Sequence, residues 1–268
     1  MIARAKYFVV MMAVASTATI TGAQDIAGRV RAIGTGTIRF SFAVKDGVCG
    51  DGRGSISRTE NGKDRNWIMN NGTLRGRRWD IECEPGPGRI VLEVARGEVT
   101  ELRFYVGGRW RDAEGRTEDL GTVSARDASD YLQWLMEKGP PEIVKETFVP
   151  AIVADAPDPY DTMLRIAKDD RRSRSVRSSA IFWLGQGAGD VATRELSNIV
   201  ATDTVDREVR KQAVFALSQQ KGDVGVDALI RVVRTNRDPE LRKDALFWLG
   251  QSGSPKAIAL IEELILKR

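Results

Sequence analysis

The sequence predicts an α+β multidomain chain: a small antiparallel β sandwich or barrel-like domain followed by an all-α solenoid of stacked helix pairs. Three observations carry this. Apolar residues recur at every second position up to about Ala125, which is the period of a half-buried strand. Beyond Arg126 the period becomes that of a helix. Finally, Phe182 to Gln186 (FWLGQ), Phe215 to Gln219 (FALSQ) and Phe247 to Gln251 (FWLGQ) repeat one pattern at intervals of 33 and 32 residues, the period of a stacked array.

The chain opens with Arg4 and Lys6, an apolar run from Tyr7 to Ala15, and small residues ending Thr21-Gly22-Ala23. This is the layout of a secretory leader, residues 1–23, cleaved after Ala23. A bilayer span needs about 20 apolar residues, and Ser16, Thr17, Thr19 and Thr21 interrupt this run. The expected location is periplasmic or secreted, with no membrane span left after cleavage.

Residues 24–125 form the expected β-rich domain. Ile38, Phe40, Phe42 and Val44 alternate with more polar neighbours, as do Trp79, Ile81 and Cys83, then Ile90, Leu92 and Val94, then Leu102, Phe104 and Val106. Arg96-Gly97, Gly107-Gly108 and the run Glu84 to Gly88 separate them as turn signals. The two cysteines of the chain, Cys49 and Cys83, both lie here. An exported chain with an even count usually pairs them, a cross-link worth about 3–4 kcal/mol in the chain-entropy model.

Residues 126–268 form the expected helical array, with units at about 142–169, 172–202, 205–235 and 237–268. Ser124 and Asp127 read as a helix start, with Ala128, Leu132 and Leu135 on one face. Ser173, Asp206 and Asp238 stand where first helices of units begin, and Asp158, Asp190, Asp223 and Ser254 where second helices begin; all are good N-cap types. Gly185 and Gly250 read as helix stops, and Pro150, in the register of Phe182, should kink the first helix of its unit. The shared register assigns Val176, Phe182, Leu184, Val209, Phe215, Leu217, Leu241, Phe247 and Leu249 to the repeat core. A helix with apolar residues on two sides must be covered on two sides, as happens between neighbours in a stack.

The unit length, the D-x-x-[VL]-R opening at Asp206 to Arg210 and Asp238 to Arg242, the A-x-x-[AW]-L core and the closing glycine resemble HEAT repeats, specifically the short bacterial type also found in phycobilin lyases. The resemblance covers about Glu142 to Arg268. With the β-rich domain ahead of it, the whole chain resembles exported bacterial HEAT-repeat proteins. That resemblance implies a protein-binding scaffold, with second helices lining the concave surface, and more rarely a lyase.

Composition narrows the function classes. The chain has no histidine, which removes Ser-His-Asp and Cys-His catalysis and the commonest zinc ligand. Its 41 basic and 37 acidic residues leave a net charge of +4 without a basic segment, so a nucleic-acid partner is not expected. No cofactor, metal or catalytic set is expected either. Positions in register on the second helices are Thr162, Arg194, Asp227 and Ile258, and Ile166, Asn198, Arg231 and Glu262. Neither row keeps one sign, which suits a protein surface of mixed polarity. Arg194, Asn198, Asp227 and Arg231 are therefore candidate partner-binding residues, together with Gln186, Gln219 and Gln251. The glutamines could equally satisfy helix-end carbonyls.

Four further features have a functional and a plainer reading. The cluster Asp169 to Arg177 is an anion site or a solvated turn. The loop Lys45 to Gly54 holds calcium through Asp46 and Asp51, or is simply anchored by a disulfide. Trp67, Trp79 and Trp110 are ligand platforms or core. The last helix should close the stack with its polar face outward. The leading expectation is a non-catalytic scaffold binding a protein of the cell envelope; the alternatives are a lyase-type enzyme using Asp190 or Asp223, and a ligand sensor acting through the β domain.

Overall fold

The computed structural model describes residues 22–60, 63–70, 73–74, 84–110, 115–187, 189–220 and 222–266. The expected leader lies outside these residues apart from its last positions, which begin a helix. This helix, α1 (Gly22–Ile33), was not foreseen in a segment assigned to the β domain. Ile26, Val30 and Ile33 fall four and three residues apart and are buried, the spacing of one helical face. Gly34, with φ of +69°, ends it in the left-handed region that favours glycine.

Two open sheets follow. In the first, β1 (Gly36–Phe42), β7 (Gly88–Ala95), β8 (Glu98–Val106) and β9 (Thr117–Thr122) lie in the order β8-β7-β1-β9. β1 and β7 run antiparallel from Gly36 opposite Val94 to Phe42 opposite Gly88. β7 and β8 form a hairpin through Arg96-Gly97, both at positive φ, the geometry whose twist matches paired strands. β9 departs from the expected antiparallel pattern and runs parallel to β1. It reaches β1 only after the chain has passed through the second sheet and the hairpin, the long crossover that a parallel neighbour requires. The second sheet, in the order β5-β4-β3-β2-β6, comprises β2 (Val48–Gly50), β3 (Ser55–Glu60), β4 (Lys63–Asn70), β5 (Thr73–Leu74) and β6 (Glu84–Pro85).

The alternation read from sequence sets the core of the first sheet: Ile38, Phe40, Phe42, Ile90, Leu92 and Val94 are all buried. Within this core the Phe40 ring meets Tyr131 of the next helix, α2 (Ala125–Lys138), edge-on at 6.4 Å. Ser124 caps α2 by accepting from the Asp127 amide.

Among the described residues the helices that follow fall into the repeat register two by two: α3 (Pro141–Val153) and α4 (Tyr160–Lys168), α5 (Arg174–Gly187) and α6 (Gly189–Ala201), α7 (Arg207–Ser218) and α8 (Asp223–Thr235), and α9 (Pro239–Gln251) and α10 (Pro255–Leu266). α3 runs through Pro150 in its last turn. First helices pack on first helices throughout, and α8 packs on both α6 and α10, so the array is a helical solenoid. Val176, Leu184, Val209, Leu217, Leu241 and Leu249 are buried. Phe182 and Phe215 are partly buried and stack on each other at 6.3 Å, and Phe215 meets Trp248 at 5.0 Å. Phe247 does not belong to the core as expected: it is 57% exposed, because among the described residues no helix pair covers α9 as α7 covers α5. One continuous set of buried residues extends from Ile26 to Leu260, through sheet and solenoid alike.

Two glycines differ from their expected role. α5 and α9 run past Gly185 and Gly250 rather than stopping there. A Cβ at Gly185 would lie 2.8 Å from the Ala216 Cβ, so this glycine sets the approach of α7 to α5; a Cβ at Gly250 would meet nothing within 4 Å.

Candidate protein-interaction surface

The second helices present the candidate surface, and it opens along the stack. At its amino-terminal end Thr162 and Ile166 are buried, Thr162 donating to Gln133 of α2 at 2.7 Å. Farther on, Arg194, Asn198 and Arg231 are exposed. Asp227 is half-buried and pairs with Lys256 of α10 at 3.0 Å. Its pairing is one of several ties between consecutive second helices and α2: Arg165 with Glu137 at 2.6 Å, Lys168 with Glu195, and Arg234 with Glu263 at 2.9 Å. Lys168 draws the Glu195 carboxyl below the usual range, against the opposing effect of its desolvation. Arg194 and Arg231 stand outside these ties, which leaves their guanidinium groups facing solvent.

The glutamines do not act as a set. Gln186 is half-buried, Gln251 is exposed, and Gln219 caps α7 while its amide donates to Ser218 Oγ at 3.1 Å. An amide that bridges units is that of the neighbouring Gln220, which sequence reasoning missed: it donates to the Gly185 carbonyl at 2.9 Å and accepts from Thr193. The doublet Gln219-Gln220 was the available signal.

The arginines of the two D-x-x-[VL]-R motifs, and Arg177 at the equivalent place after Ser173, have a structural task. Arg177 donates to the Ala167 carbonyl at 3.2 Å, and Arg210 to the Val200 carbonyl at 3.0 Å, so both serve the last turn of the preceding second helix. Those carbonyls have no helical partner. Arg242 reaches the Asn236 and Arg237 carbonyls, just beyond α8. In the Asp169 to Arg177 cluster, Arg171 pairs with Asp169, Arg172 with the Glu137 carbonyl, and Arg174 with Asp206. Each of these cations is engaged locally, which fits the turn reading and leaves no convergent anion cradle in their contacts.

Asp206 and Asp238 cap α7 and α9 as expected, accepting from the amides of Glu208 and Glu240, and Ser173 accepts from the Val176 amide. The second helices differ. Gly222, not Asp223, is the cap of α8, and Asp223 is its first residue, paired with Lys256 at 3.2 Å. Asp158 pairs with Lys45 at 2.6 Å while Pro159 caps α4. The Ser254 hydroxyl has no hydrogen-bond partner among the described residues, and the Asp190 side chain lies outside them.

In the β domain, Asp51 Oδ1 accepts from the amides of Arg53, Gly54 and Ser55 at 2.7–3.0 Å. Desolvation opposes its charge, but these bonds outweigh it and lower the carboxyl below its usual range. A carboxylate so occupied organises its own loop. Among the described residues no cluster of three or more potential metal ligands occurs. Cys83 and the side chains of Trp67 and Trp79 lie outside the described residues. Cys49 sits on β2, where it opposes Pro85 and its neighbour Gly50 opposes Glu84. Trp110 is already engaged by Arg39 and Arg89, at 4.9 and 5.1 Å from its ring, and by Tyr105.

The last helix does not turn a polar face outward. Ile258, Leu264, Ile265 and Leu266 of α10 are exposed, as is Phe247 of α9. Among the described residues no helix is long and apolar enough to cross a membrane.

No curated protein matches the chain. A family model describing HEAT repeats matches residues 196–268, from the middle of α6 through α10, and over that stretch of stacked helix pairs the chain is similar to HEAT-repeat proteins.

Proposed function

We propose that this protein is an exported, non-catalytic scaffold that binds a protein of the cell envelope through the face of its second helices. The observation that carries the reading is the division of labour on that face. Asp227, Arg234, Lys168 and Glu195 tie helix to helix, with Asn198 hydrogen-bonded to Glu195, whereas Arg194 and Arg231 are exposed on the same helices outside the ion pairs that join them. Mixed polarity of this kind suits a protein partner better than a polyanion. Asp223, one of the two carboxylates an enzymatic reading would use, is engaged by Lys256. A Cys49–Cys83 disulfide belongs to the same reading, since β2 pairs with β6, the strand that begins one residue after Cys83.

The test is cross-linking in the native envelope followed by mass spectrometry, on the natural chain and on Arg194→Glu/Arg231→Glu. A partner captured by the natural chain and lost by the variant, with an unchanged melting temperature, is the expected result. Equal capture by both chains would exclude this face.

A further inference from the structure

The expected cleavage point, after Ala23, falls inside the first turn of α1, and that turn lies against the start of α2. Gly22 stands four residues before Ile26, on the face that carries the buried Ile26, Val30 and Ile33. A Cβ on Gly22 would overlap the Asp127 carboxyl, which places that carboxyl against the backbone of the first turn of α1. Ser124 holds it there: its hydroxyl donates to Asp127 Oδ2 at 2.6 Å and accepts from the Asp127 amide at 3.0 Å. The Asp127 carboxyl thus stands at the positive ends of two helix dipoles, those of α1 and α2. The nearby cations are committed elsewhere, Arg126 to Asp130 at 3.9 Å and Arg29 to Glu118 at 3.2 Å. Among the described residues no cation pairs with Asp127.

We infer that Asp127 is the seat of the mature amino terminus: cleavage after Ala23 creates an ammonium on Gln24 that pairs with this carboxylate and fastens α1 to α2. The inference rests on the exported part of the reading above and is independent of the second-helix face. Hydrolysis adds water across the Ala23–Gln24 peptide bond, leaving a carboxylate on the departing leader and an ammonium on Gln24. Two residues separate Gly22 from Gln24, a rise of about 3 Å along a helix, so the new ammonium arises beside the space that Gly22 leaves against Asp127. A positive charge at a helix start opposes the helix dipole, and a chain that begins directly with a helix is therefore stabilised by a carboxylate at that end. Asp25, exposed in the first turn of α1, adds a second negative charge. The buried face of α1 fixes the helix, so the ion pair forms between two positioned groups.

The full chain, exported with its leader by a bacterial host, is sequenced from its amino terminus by Edman degradation, which requires a free amine, and should begin at Gln24. The pH dependence of acetylation of that amine, followed by mass spectrometry of the amino-terminal peptide, then reads its protonation. The amine should titrate above the ordinary α-amino range of about 7.7–8.0, and near pH 7 it should react about threefold more slowly than in Asp127→Asn. Asp127→Glu should restore the slower reaction. Ser124 still accepts from the amide of residue 127 in both variants, so circular dichroism should show unchanged folding. A raised folded-state pKa contributes stability in full below the ordinary value and loses it as pH rises through the raised one. The margin of the natural chain over Asp127→Asn in denaturant unfolding should therefore be largest near pH 7 and vanish by about pH 10. An amino terminus other than Gln24 overturns the expected leader and the inference together. A blocked Gln24, or an amine that titrates alike in the natural chain and in Asp127→Asn, overturns the inference alone.

Discussion

The missing side chain of Gly185 lets two first helices approach more closely than any larger residue would. Glycine inside a helix costs about 1 kcal/mol relative to alanine, so Gly185 is retained against local preference, and Ala216 lies where its Cβ would be. Gly250 carries the same local cost without the contact. The two positions should therefore respond oppositely. Gly185→Ala is expected to destabilise by about 1–3 kcal/mol, the range for overpacking, and Gly250→Ala to stabilise by up to about 1 kcal/mol, both read by denaturant unfolding. Equal gains would mean that Gly185 sets no spacing. The buried Arg210 makes a related point. Its guanidinium joins the Val200 carbonyl to Asp203, so an arginine that looked like family signature in the sequence completes the end of a preceding helix.

Individual elements show why some helix starts were legible and others were not. Asp206 and Asp238 cap first helices and also accept from Arg174 and Arg207 of the preceding unit, at 2.8 and 2.9 Å. One carboxylate thus closes a helix and fastens a joint. Desolvation opposes ionisation of both, yet the cap amide and the neighbouring guanidinium outweigh it, and both carboxyls titrate below the usual range. A lowered folded-state pKa means that the contribution is complete above the unfolded value of about 3.9 and is lost as pH falls through the lowered values. Melting temperature should therefore drop below about pH 4. Asp206→Asn/Asp238→Asn should keep the caps but show a shallower drop, and an identical acid profile would assign the pH dependence elsewhere. The sequence displayed these caps because an acceptor, a helical period and the repeat register coincided. At Asp223 the same acceptor was displaced by one residue, because Gly222 adopts φ of +63° and takes the cap position, a backbone choice that residue types do not reveal. Helix α1 was missed for another reason: its apolar spacing is clear, but it begins within a segment that read as leader. The parallel seating of β9 was not legible at all, since alternation fixes which face is buried and leaves the neighbouring strand undetermined. At the candidate surface, register found the exposed Arg194, Asn198 and Arg231, whereas the ion pair that engages Asp227 depended on the packing of α10.

At the scale of the molecule, the β domain serves as the amino-terminal cover of the solenoid. Beyond β1, the Lys45 amide donates to the Val153 carbonyl at 2.8 Å, the Asp155 amide to the Ala43 carbonyl at 2.9 Å, and Val44 bridges Ala154. The Lys45 ammonium adds bonds to the Ile152 carbonyl at 2.7 Å and to Asp158. These groups hold the exit of α3 against the end of β1, while Phe40 and Tyr131 join the sheet to α2. Repeat arrays on their own tend towards stepwise unfolding, because each unit touches only its neighbours. A core that passes unbroken from sheet to helices opposes this by coupling the first units to the sheet. Heating the natural chain should therefore give coincident transitions by helical circular dichroism and by tryptophan fluorescence, for which Trp110 reports on the sheet and Trp183 and Trp248 on the helices. Phe148→Ala, which empties a fully buried site in α3, should lower both transitions together, at a cost of about 3–5 kcal/mol. Separation of the two signals in the natural chain, or a shift confined to one of them in the variant, would mean that the sheet and the solenoid fold as independent bodies and that the cover is only a neighbour.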